Sequence, residues 1–169
     1  MKMNLKHLLQ QLFCADLLER NKELERYLPS FRFSDTLSVS GDDVRIALEE
    51  RFPSAHLRIA DSTYDVVKWD DLLEWLKNDS LSEIKWCEDI WDCDDFADES
   101  ACRMHLLGRI QGKNFAYRVA WGETPMGYHA FCLAYVQKNS EKEIRVVEPQ
   151  NDDTKDWKKS DYKPDYIKF

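Results

Sequence analysis

The chain has 169 residues, 33% of them charged and 43% hydrophobic, with a formal net charge of −8. That length suits one domain with a sizeable core, and the composition is that of a globular chain without low-complexity tracts. The acidic balance and the lack of a Lys/Arg stripe exclude a nucleic-acid footprint. Five cysteines, at 14, 87, 93, 102 and 132, include no CxxC pair. They fit neither a disulfide framework nor a zinc ribbon and point to a reducing compartment. The opening apolar run is broken by Gln10, Gln11 and Asp16, a poor signal peptide, and no run reaches membrane length, so a cytoplasmic location is expected.

In chain order, Leu5, Leu8, Leu9, Leu12, Phe13, Leu17 and Leu24 recur at helical spacing up to Pro29, predicting one or two amphipathic helices with a packing face. Residues 1–60 are taken as a helical subregion of the same domain. Ser40-Gly41-Asp42-Asp43 reads as a helix start, stopped by Pro53. His56–Ala60 alternates like a strand. Tyr64–Trp69 has strand composition, and Asp70–Leu76 continues as a helix with acids in its first turn. Ile84–Cys87 is expected as a short strand or an extended approach to the acidic stretch Asp92-Cys93-Asp94-Asp95-Phe96-Ala97-Asp98.

There a long helix is predicted, with Asp92 as N-cap and Gly108 or Gly112 as stop. Phe115–Trp121, Tyr128–Val136 and Glu143–Val147 then read as three antiparallel strands. The fold class expected is therefore α+β, with a polar tail over 151–169 in which Tyr162, Tyr166, Ile167 and Phe169 are possible anchors. A four-residue loop over Gln137–Ser140 would set His129 opposite Glu148, both on an apolar face turned toward the Cys93 helix.

A cysteine at a helix N-terminus, an imidazole on one strand and a carboxyl on the next are the parts of an activated thiol. The helix end favours the thiolate, the imidazole takes its proton, and the acid fixes the ring tautomer. His105 is excluded as the base because twelve helical residues put it roughly 18 Å along the axis from Cys93. The carboxyls around Cys93 oppose thiolate formation, and crowded hard oxygen ligands of this kind suit calcium, which would offset their field.

The segments DCDDFA, GYHA and VVEPQ resemble the papain-like cysteine protease domain of the Marasmius oreades agglutinin family, whose relatives include stand-alone bacterial and phage proteins. The resemblance spans roughly Tyr64–Gln150, so 61–150 is expected to be the papain-like core. It implies a long helix carrying the cysteine, packed on an antiparallel sheet carrying His and Glu. It further implies Cys93 as nucleophile, His129 as base, Glu148 as third member, and Asp94 and Asp95 in a calcium site. Asp152 and Asp153 are added as metal candidates. No Gln lies between Gln11 and Gln111, so the indole of Trp86 is the oxyanion candidate, and no repeats suggest the family's sugar-binding trefoil. The activity expected on this basis is a calcium-dependent thiol hydrolase acting on a peptide or protein substrate, or an acyl transferase using the same site. The other reading is a non-catalytic calcium-binding or assembly protein that keeps the fold.

Overall fold

The computed structural model describes residues 31–156 and 162–169. The expected N-terminal helices and Cys14 lie outside these residues. Their organising element is an eight-stranded sheet of β1 Thr36–Ser40, β2 His56–Arg58, β3 Thr63–Lys68, β4 Tyr117–Thr124, β5 Gly127–Lys138, β6 Glu141–Glu148, β7 Asp153–Asp156 and β8 Lys163–Lys168. Its order is β1-β3-β5-β4-β8-β2, with β6 on β5 and β7 on β6. Most pairs are antiparallel, but β2 runs parallel to β8 and β3 parallel to β5.

Three α-helices accompany the sheet among the described residues: α1 Gly41–Arg51, α2 Trp69–Asn78 and α3 Cys93–Gln111. Local chemistry sets their ends. Ser40 Oγ accepts from the Asp43 amide at 3.0 Å while the Asp43 carboxylate accepts from the Ser40 amide at 3.1 Å, a reciprocal cap that starts α1 where the sequence predicts. Gly41 is required there by close approach, since a Cβ would stand 2.4 Å from the Asp61 carbonyl oxygen. Asp92 and Asp95 form the same reciprocal cap at α3. Gly112, at φ +66, ends that helix in the left-handed conformation that glycine adopts without cost.

Each face of the sheet is covered differently. Phe131, Leu133, Ile144, Val146, Ile167 and Phe169 form one core with Val44 and Leu48 of α1. Facing α3, Cys132 Sγ lies 3.4 Å from the Ala97 carbonyl and Tyr117 Oη 2.7 Å from Ser100 Oγ.

Several expectations are corrected. Ile84–Cys87 contributes only an isolated bridge between Cys87 and Trp91, not a strand. The supposed tail joins the sheet: β8 lies between β4 and β2, and Tyr162, Ile167 and Phe169 are buried. The β5–β6 turn is two residues, Asn139 and Ser140 at φ +50 and +68, which matches the twist of an antiparallel hairpin. Val136 therefore pairs with Glu143 rather than Glu141. The architecture is a sheet-rich, curled half-barrel and not the papain-like α+β fold expected. Local patterning predicts β2 and β3 as strands, but their pairing with β8 and β5 over long separations leaves no local signal, so a three-stranded meander is all of the sheet that the sequence shows.

Candidate functional site

The shorter hairpin turn moves the β5–β6 register by two residues, an even shift that leaves every side chain on its face. Cys132 pairs with Val147, so Glu148 comes level with Phe131 and meets His129 diagonally. The bond still forms: His129 Nε2 lies 2.8 Å from Glu148 Oε2, and both residues are buried. The second carboxyl oxygen of Glu148 accepts a short hydrogen bond from the Tyr162 hydroxyl. Burial pushes the Tyr162 phenol well above its ordinary value, and the bond to Glu148 adds to that. Phe131 closes the group, its ring 6.5 Å from His129 and 4.9 Å from Tyr162.

Cys93 is half-buried at the start of α3. The Cys93 sulfur and one carboxyl oxygen each of Asp92 and Asp94 lie within 4.8 Å of one another. Hydrogen bonding between those two carboxyls holds Asp92 low and pushes Asp94 up. Asp95, expected to bind metal, spends a carboxylate oxygen on the Asp92 amide at 3.1 Å. Trp86 is half exposed on the preceding loop. Asp152 is half-buried, and Asp153 opens β7 with its amide bonded to Asn151 Oδ1 at 2.9 Å.

The structure thus brings His129 to Glu148, and Cys93 to Asp92 and Asp94. The expectation that α3 covers the His129 side of the sheet is corrected, because α3 touches Cys132 and Tyr117. Strand alternation directs His129 and Glu148 to the side of Phe131 and Val146 instead. Cys132 is buried, with a thiol that burial pushes up to about 12, whereas Cys87 and Cys102 are exposed.

Sequence reasoning missed a row of rings. Trp121 pairs with Tyr166 on β8, and Tyr166 with His56 on β2. The Trp121 and Tyr166 rings lie 5.6 Å apart at 47°, and the Tyr166 and His56 rings are stacked at 5.9 Å and 19°. His56 is exposed, while Trp121 and Tyr166 are half-buried. One pair further along the same face, exposed Arg58 pairs with exposed Lys168. The period-two spacing of Tyr166 and Lys168 was the available signal, hidden by reading 151–169 as a tail.

No protein-family model matches the chain, and no curated protein matches it. Several solved structures resemble it, two of which follow. One is described as the PSL1a–E64 complex, with a TM-score of 0.61 at 21% identity. The other is Polyporus squamosus lectin bound to the human-type influenza-binding epitope Neu5Acα2-6Galβ1-4GlcNAc, with a TM-score of 0.60 at 22% identity. Each alignment covers 79% of this chain and 50% of the other, so the chain spans half the length of these structures.

At this identity these findings show a shared fold alone. They overturn the expected assignment to a papain-like protease domain, together with the hydrolase and acyl-transferase activities and the cysteine-protease description that followed from it. The misassignment rested on three short segments around a capped helix start and a hairpin, features that local capping and strand chemistry produce without a shared activity. No helix among the described residues is long and apolar enough to cross a membrane.

Proposed function

We propose that the chain binds carbohydrate, specifically a glycan bearing a carboxylate, on the aromatic row of β4, β8 and β2. The observation that carries this reading is the alignment of Trp121, Tyr166 and His56 across three neighbouring strands. Strands lie about 4.8 Å apart, so adjacent rings offer an apolar platform of the size of a sugar ring, suited to its C–H face. Arg58 and Lys168, exposed on the same face, supply charge-assisted donors for a carboxylate. Their local field prevails over the net charge of −8 because exposed charges beyond roughly 8 Å are screened at physiological salt. Likeness to a lectin solved with a Neu5Ac-terminated glycan supports the ligand class.

Calorimetric titration with Neu5Acα2-6Galβ1-4GlcNAc and with Galβ1-4GlcNAc tests the reading. Trp121→Ala should weaken both ligands at least tenfold, whereas Arg58→Ala with Lys168→Ala should remove only the preference for the sialylated one. If wild type binds neither glycan, or the variants leave affinity unchanged, the proposal fails.

The buried His129–Glu148 bond favours a second, separate reading. We propose Cys93, His129 and Glu148 as a site that takes E64, the compound held by PSL1a, a reading that requires the His129 ring and the first residue of α3 to meet at the end of the sheet although the body of α3 lies on the other face. Glu148 occupies Nε2 of His129 and leaves Nδ1 as the ring atom for a thiol. Calcium at Asp92 and Asp94 would offset the carboxyl field at the sulfur. Cleavage of a peptide bond forms no part of this reading. Mass spectrometry after incubation with E64 should show one adduct on Cys93, formed more slowly in chelator and at least tenfold more slowly in His129→Ala. Absence of an adduct, or equal labelling of the exposed Cys87 and Cys102, contradicts it.

A further inference from the structure

Two carboxyls away from these sites each keep one buried oxygen without a partner. Asp79, just after α2, is 5% exposed. Its Oδ1 accepts from the Leu81 amide at 2.9 Å, while its Oδ2 is buried with no hydrogen bond. Asp152, in the turn between β6 and β7, sits at φ +55. Its Oδ2 accepts from Ser82 Oγ at 2.5 Å, and its Oδ1 is likewise buried and unbonded. A single 3-10 turn, Leu81–Glu83, therefore supplies one donor to each carboxyl and leaves one oxygen of each over.

The nearby cation does not answer them. Arg103 donates through Nη1 to the Asp79 carbonyl at 2.5 Å and through Nε to Glu99 Oε1 at 2.8 Å. Glu99 and Asp152 both add negative charge at Asp79. Buried carboxyl oxygens without donors are costly, by several kcal/mol when charged in roughly this setting. A proton, a bound water or a metal ion can compensate, and the ligand atoms on offer are oxygens alone.

We propose that Asp79 Oδ2 and Asp152 Oδ1 hold a hard divalent cation, calcium or magnesium, which fastens the end of α2 to the turn after β6. Magnesium keeps several waters beside one or two carboxylates, and calcium would draw in further oxygens. The site differs from the Asp94 and Asp95 pair expected from the sequence, and only Asp152 was among the metal candidates read there. It is also independent of the glycan and E64 readings.

The test is calorimetry on the full chain after chelation, titrated separately with calcium and magnesium, alongside thermal unfolding. In the Asp94→Asn chain, which removes the calcium proposed beside Cys93, one ion per chain and a rise in Tm are expected for one of the two metals. Adding Asp79→Asn or Asp152→Asn, which keep side-chain shape, to that chain should weaken the remaining ion at least tenfold. The proposal is overturned if the Asp94→Asn chain binds neither ion stoichiometrically, in which case a proton or a water satisfies the pair. It is equally overturned if binding survives when Asp79 or Asp152 is also replaced in a folded chain. Titration of the Asp94→Asn chain decides the question even if a further variant does not fold.

Discussion

The two faces of the sheet bury polar groups differently where a helix covers them. The groups that touch α3 are neutral: Ser100 bonds Tyr117, and Cys132 lies against the Ala97 carbonyl with a thiol pushed up to about 12, while the buried Arg145 further along that face is paired with Glu143. On the α1 side an imidazole, a carboxyl and a phenol share one network inside an apolar core. Neutral pairs lock packing at modest stakes, whereas an ionisable network depends on every member being present. The fold therefore tolerates losses on one face better than on the other.

Substitutions on the two faces should differ in size. Glu148→Ala removes the shared acceptor and strands both His129 and Tyr162, so chemical denaturation should show a loss of about 3–5 kcal/mol. Tyr162→Phe removes one donor and should cost about 1.5–3 kcal/mol, because the partner is a carboxyl. Ser100→Ala, on the neutral face, should cost only about 1 kcal/mol. If Ser100→Ala proves as damaging as Glu148→Ala, the contrast between the faces is wrong. Ser40→Ala, a cap removed from both networks, should cost about 1 kcal/mol in the same assay.

The acidic pair at Asp79 sharpens the comparison, since it lies off both faces. Burial is the first cause that pushes the Asp79 carboxyl from 3.8 up to about 6. The folded state then binds more protons than the unfolded state between those values, so stability in chelator should fall as pH rises from about 4 to 6 and level off above. Asp79→Asn should flatten that slope in a pH series of unfolding curves. A saturating divalent cation should restore stability above pH 6, because it favours the ionised form.

Legibility in the sequence followed the range of the interaction. The caps at Ser40 and Asp92 are signals within four residues and are legible, and Gly112 is one of the two stops that the sequence offers. The His129–Glu148 contact survived a register error because a two-residue shift preserves strand faces. The direction in which that face points was not legible, since it depends on where α3 docks. Nor was the aromatic row, because β2 and β8 pair in parallel across more than a hundred residues. The spare oxygens of Asp79 and Asp152 depend on which donors the Leu81–Glu83 turn supplies, and only the folded chain shows that. The family resemblance misled because its segments are locally capped and paired, while the fold is decided by strands elsewhere.

The central claim, carbohydrate recognition on the β4–β8–β2 face, is tested most directly by mapping amide NMR shifts while Neu5Acα2-6Galβ1-4GlcNAc is added. Saturable shifts at Trp121, Tyr166, His56, Arg58 and Lys168 are predicted. An unperturbed spectrum, or shifts gathered around Cys93 and His129 with that face silent, would contradict it.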